Sequence, residues 1–186
     1  MVGTKQGPRV GEGLILASLF YAAGILGSFL IPDQSYTEGL GGVFVPHSFN
    51  GHYDLRGLIL LNSSVILILS IGYVTLGTLT ALSLSFNGMV VGSIVREILR
   101  ENLTGALPCF LFHGPLEITS ILISSSVGLS SAVTVIHGGD HYDLSRDQLV
   151  YLTKLALLSL IMIILSSVIE YYLSIPCILV KLNGHM

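Results

Sequence analysis

Between Gly57 and Val95 the chain runs for 39 residues without a charged side chain. As one straight helix this stretch would be about 58 Å long, twice the ~30 Å hydrocarbon thickness of a bilayer. It has to break or leave the membrane. Ser85-Phe86-Asn87-Gly88 is the break signal, so a span is expected from Leu58 to about Leu84. Beyond it, Val90, Ile94 and Ile98 share a face from Met89 to Leu103, with Arg96, Glu97, Arg100 and Glu101 opposite. That pattern is an amphipathic helix at the interface or packed on a bundle.

Other uncharged stretches repeat the theme. Gly13 to Pro32 is 20 residues long, too long for the core of a signal peptide and right for a span from Leu14 to Ile31. Leu103 to Gly139 carries one charge, Glu117, and also exceeds one span. Pro108 suits a first helical turn, whereas Pro115 and Gly128 mark interruptions within a broken helix. The last span is expected from Leu149 to Leu173, with Lys154 snorkelling at one end and Tyr171 and Tyr172 in an aromatic belt at the other. Only 10% of residues are charged, against roughly 25% in soluble domains. This excludes a soluble globular domain, a basic nucleic-acid binder and a disordered tail. The expected fold is all-α: residues 1–186 form a single integral membrane domain of four to six membrane segments, one or two of them broken or re-entrant, plus an amphipathic interfacial helix.

Four crossings would put both termini on one side with Lys5, Arg9, Arg96, Arg100 and Lys181, against Arg56, Arg146 and Lys154 on the other. That excess points to cytoplasmic termini in a multi-pass protein of the cell membrane. Cys109 and Cys177 lie in apolar surroundings and read as small core residues.

Two polar loops, Asp33 to Arg56 and His137 to Asp147, share a phrase: His52-Tyr53-Asp54-Leu55 and His141-Tyr142-Asp143-Leu144. Each phrase precedes a span, which is compatible with a parallel internal repeat of residues 11–86 and 105–175. His47, His52, Asp54, His137, Asp140, His141 and Asp143 are ligand types suited to zinc, making a divalent metal at these outer loops one expectation. Helix capping is the competing one, with Asp143 as an N-cap residue.

The costliest residues are acids inside apolar segments, which face a bundle interior or a water path. Glu117 and Glu170 are both of this kind. His113 lies one turn before Glu117, with Gly114 and Pro115 between them as a helix break. Asn62 and Asn87 extend the polar set, and Gly88-x-x-x-Gly92 permits close helix contact. Such a cluster can bind a cation, relay protons, or tie helices together by hydrogen bonds. No nucleophile–base–orienter arrangement, phosphate-cradling glycine loop or HExxH appears, so the chain reads as non-enzymatic.

Phe86-Asn87-Gly88, then Leu107-Pro108 with His113-Gly114-Pro115-Leu116-Glu117, then Ile169-Glu170 in the last span resemble the stage II sporulation protein M family. That family shows an Asn-Gly after its second span, a His-Gly-x-x-Glu-Leu phrase, and a late Glu in its last span. Ile118 stands here for the usual Leu, and the likeness covers Asn62 to Pro176. The HYDL loops are not part of the pattern. The resemblance implies an all-helical protein of the cell membrane; in spore formers the family member scaffolds a peptidoglycan-degrading complex during engulfment. Nothing in this chain indicates a sporulating source, so that role is not carried over. The expectation is a scaffold or pore-like component, embedded in the lipid bilayer and forming a homo-oligomer. The alternative is a cation-coupled secondary transporter or ion channel using His113, Glu117 and Glu170. A membrane-embedded enzyme with metal at the outer loops is a third reading.

Overall fold

A computed structural model describes residues 9–30, 54–100, 104–137 and 145–183. Within them the chain is helical and contains no strand. The helices are α1 (Val10–Leu30), α2 (Leu55–Ile71), α3 (Thr78–Arg100), the short α4 (Leu107–Phe110), α5 (Gly114–Ile136), α6 (Arg146–Ile169) and α7 (Ile175–Asn183). Among the described residues, four apolar segments are long enough to cross a membrane: α1, α3, α5, and Arg146–Ile178. The 17 residues of α2 extend about 25 Å alongside them.

The long uncharged stretch does break, but not at Ser85–Gly88. It turns at residues 72–77, where Leu76 and Gly77 have φ of 52° and 75°. Only the second of these suits its conformation without cost. The Gly77 amide closes the turn onto the Gly72 carbonyl at 2.8 Å. From Thr78 a single helix continues through Asn87 to Arg100. The Asn87 amide donates to the Ser83 carbonyl one turn back, so its polarity is absorbed within the helix. The amphipathic pattern read from Met89 is therefore the distal half of α3. Its polar face is pinned to α1 by Arg96, which donates to the Ser28 carbonyl at 2.7 Å.

Pro115 lies in the first turn of α5, where a missing N–H costs nothing. The break comes just before it, at residues 111–113. Gly128 does not interrupt α5. It lets α5 press on the Leu69 carbonyl and on Thr80. Ser145, not Asp143, is the N-cap residue of α6, in a reciprocal capping box with Gln148.

The directions of the helices follow from their contacts. Gly24 abuts Ser85 and Gly88 while Ser28 meets Gly92, so α1 and α3 run parallel at very close approach. Gly13 abuts Ser126, while Tyr21 lies within electrostatic reach of Glu117, so α5 opposes α1. Ser124 donates to the Ile66 carbonyl and Gly128 abuts Leu69, so α2 runs with α5. Asn62 bonds Ser167 while Val65 and Ile163 share a cavity wall, so α6 opposes α2. The start of α1 and the end of α6 therefore stand at opposite ends of the bundle, which overturns the expectation of both termini on one side. The helices after the two HYDL phrases, α2 and α6, are antiparallel. Their caps, Asp54 and Ser145, mark opposite ends rather than copies of a parallel repeat.

Small polar residues share the interior with Ile66, Leu69, Leu84, Leu129 and Ile163, and large apolar residues also cover the exterior. Along α5, Ser120, Ser124, Ser125, Ser126, Ser130 and Ser131 are buried. Most bond a carbonyl of their own helix, such as Ser125 to Ile121 at 2.7 Å, while Ser124 reaches across to α2. Leu19, Leu67, Leu82 and Leu165 face outward. Apolar side chains on the outside and small residues at the helix contacts suit a lipid surround, where small residues allow close packing.

Cys109 and Cys177 are not free core thiols; they form a disulfide joining α4 to α7 across a sequence separation of 68. Their wide spacing hid the pairing, because nothing in the sequence shows that α7 lies beside α4.

Candidate functional site

The α5 helix starts part-way along the bundle, and its first turn lies beside the middles of α2 and α3. Glu117, Asn62 and Asn87 line one cavity with Val65, Ile121 and Ile163. The cavity holds about 10 Å³, space for roughly one water molecule. The polar residues singled out from three separate stretches of sequence thus share one location.

His113 is the residue at the head of α5. It is buried, and its carbonyl accepts bonds from the Leu116 and Glu117 amides and from the Ser166 hydroxyl of α6. Those anchors hold the backbone that carries the imidazole. Nδ1 lies 2.7 Å from the Ser174 hydroxyl, and Nε2 lies 3.7 Å from Glu117 Oε2. One turn separates His113 from Glu117, so both side chains leave the same face of the chain.

Glu170 comes from the opposite wall. It opens a π-helical turn, Glu170–Ser174, in which the Ile175 amide reaches back to the Glu170 carbonyl. The cause is Pro176, which has no amide to offer Tyr172 and whose ring would crowd that carbonyl. Widened turns of this kind re-aim side chains and recur at functional sites. Here the turn presents Glu170 and Ser174 together toward His113. Ligand atoms of His113, Glu117 and Glu170 all lie within 4.8 Å of one another. Two carboxylates this close cannot both hold full charge unless a proton or a cation sits between them.

The outer loops give a different result. Asp54 caps α2, its carboxylate accepting from the Arg56 amide at 3.1 Å. His137 caps the other end of the bundle, with Nδ1 at 2.9 Å from the Val133 carbonyl and Nε2 at 3.5 Å from Glu12. These two share no centre. His47, His52, Asp140, His141 and Asp143 lie outside the described residues. Gly114 has open space around its α-carbon, so no packing demand explains it.

Sequence reasoning missed Ser166, Ser167, Ser174 and Tyr21. The serines carried a signal: Ser166, Glu170 and Ser174 are four apart and so share a helical face. Tyr21 carried none, since a Tyr in an apolar span reads as packing. Its hydroxyl is buried without a hydrogen-bond partner.

The pattern of the Stage II sporulation protein M family matches residues 15–175. The chain belongs to the Stage II sporulation protein M family. The site residues His113, Glu117 and Glu170 fall within that match, as do both walls of the cavity. An uncharacterized protein of Methanocaldococcus jannaschii, 28% identical over 173 residues, covers 87% of this chain and 93% of its own length. No solved structure matches the chain.

Proposed function

We propose that this Stage II sporulation protein M family member is a non-enzymatic membrane protein that handles a cation or protons at His113, Glu117 and Glu170. The observation that supports this most is their convergence, from two helices distant in sequence, in the middle of a lipid-facing bundle. Packing alone does not need two carboxylates there, and intramembrane acids mark ion paths or proton relays. A non-catalytic role for this cluster is supported by the size of its cavity. A cavity of about 10 Å³ has no room for an organic substrate, which needs roughly 300 Å³ or more. A homo-oligomer in the cell membrane is the proposed working unit, since one chain of this size offers little interior for a conduction path. The disulfide-bonded end faces the oxidising side, where such bonds persist.

A second reading, a rigid membrane scaffold, draws support from the α1–α3 seam, where Gly24, Gly88 and Gly92 bring backbones into contact. Flux in liposomes separates the two. Wild-type protein carries protons or a cation, and Glu117→Gln lowers the flux at least tenfold while the protein still folds. Flux unchanged by that substitution removes the ion-handling reading. A scaffold shows no flux in either form, and the substitution lowers its stability instead.

A further inference from the structure

We propose that His113, Glu117 and Glu170 form a binding site for a divalent transition ion of the zinc, iron or manganese class. The proposal rests on reading the cluster as a cation site and says which cation it takes. One imidazole nitrogen with two carboxylates is a ligand set for borderline ions. Alkali and alkaline-earth ions favour oxygen alone.

The geometry fits an ion better than direct bonding. At 3.7 Å, His113 Nε2 and Glu117 Oε2 are too far apart for a hydrogen bond. Two ligands about 2.1 Å from one ion, at an angle near 120°, lie roughly 3.6 Å apart. Glu170 supplies a third ligand within 4.8 Å of both.

The surrounding groups are arranged as they are around bound metals. A ligating histidine uses its second ring nitrogen to fix the tautomer and the ring plane. Ser174 does this at Nδ1, at 2.7 Å, leaving Nε2 for the ion. Ser166 holds the His113 backbone from α6, and Asn62 is held by Ser167. Tyr21 adds an independent sign. Its side chain is 6% exposed, its hydroxyl has no partner, and Glu117 is its charged neighbour. A buried, unsatisfied hydroxyl is costly; a water held on an ion at this centre would give it a partner.

The test uses the full chain, purified in lipid nanodiscs, stripped with a chelator and titrated with Zn²⁺ and Co²⁺. One ion binds per chain, Co²⁺ acquires visible absorption, and Mg²⁺ and Ca²⁺ do not compete. His113→Gln and Glu170→Gln each weaken binding by about 100-fold or more, and Ser174→Ala, a positioning change, by roughly 10- to 100-fold. Melting curves show whether each variant folds. If His113→Gln does not, X-ray absorption of the Co²⁺-loaded wild type decides: one imidazole in the shell supports the site and none overturns it. Absence of binding by the wild type overturns the proposal. So does binding that survives Glu170→Gln but is lost when His52 and His141 become alanine, which places the ion at the outer loops. Proton flux without metal binding leaves the ion-handling function standing and removes the metal. Stoichiometric metal without flux does the reverse.

Discussion

Replacing Cys109 and Cys177 together with serine lowers the stability of the protein by up to about 4 kcal/mol. The separation of 68 residues sets the scale, since a cross-link over a loop of that length removes unfolded-chain entropy worth about that much. A bilayer already restricts helices α5 and α6 in the unfolded state, so the figure is an upper bound. The loss is concentrated at the site. Cys109 lies four residues before His113 and Cys177 seven after Glu170, so the bridge clamps the two segments that carry the cluster. Thermal unfolding in one detergent checks this, comparing oxidised wild type, reduced wild type and the double serine variant. The last two melt together, well below the first. Equal melting of all three contradicts a structural role for the bridge.

Gly128→Val is expected to prevent folding or to cost more than about 3 kcal/mol. The α2, α3 and α5 helices cross at this position. A β-carbon at Gly128 would land on the Leu69 carbonyl and on the Thr80 side chain. Those two groups already bond each other at 2.8 Å and are fully buried. Neither is the free end of a flexible chain, so relief requires backbone movement, and overpacking of that kind costs several kcal/mol. Gly27→Val, on α1 where a β-carbon meets open space, is the matched control with little effect. Folded yield and melting temperature report both. A Gly128→Val protein that melts like the wild type contradicts the packing described here.

The apolar segments were legible because lipid imposes a length and a hydropathy that a run of side chains displays directly. So was the polar cluster: Glu117 and Glu170 stand out because charge is costly where everything around it is apolar. The position of the central turn was not. Asn87-Gly88 has the composition of a break, yet Asn87 bonds its own helix, and the turn falls where Leu76 and Gly77 take left-handed conformations. Leu76 gives no sequence sign of that. The same ambiguity affected Gly128, and Gly88 carried both readings; as Gly88-x-x-x-Gly92 it makes the close contact its spacing permits. A glycine that ends a helix and one that lets two helices touch look alike until the partner helix is known. The disulfide and the bundle polarity were hidden for a related reason, as both depend on which helices lie side by side. Once α2 is seen to cross beside α5, the two ends of the bundle are fixed and the starts of α2 and α6 separate.

Glu117 and Glu170 meet as a coupled pair inside the bundle. A double-mutant cycle on unfolding stability tests this most directly, with Glu117→Gln, Glu170→Gln and the combined variant. Each carboxylate sets the electrostatic environment of the other, so a coupling energy of about 1 kcal/mol or more is expected between the two changes. Costs that add within about 0.5 kcal/mol, the behaviour of sites without shared partners, would contradict it.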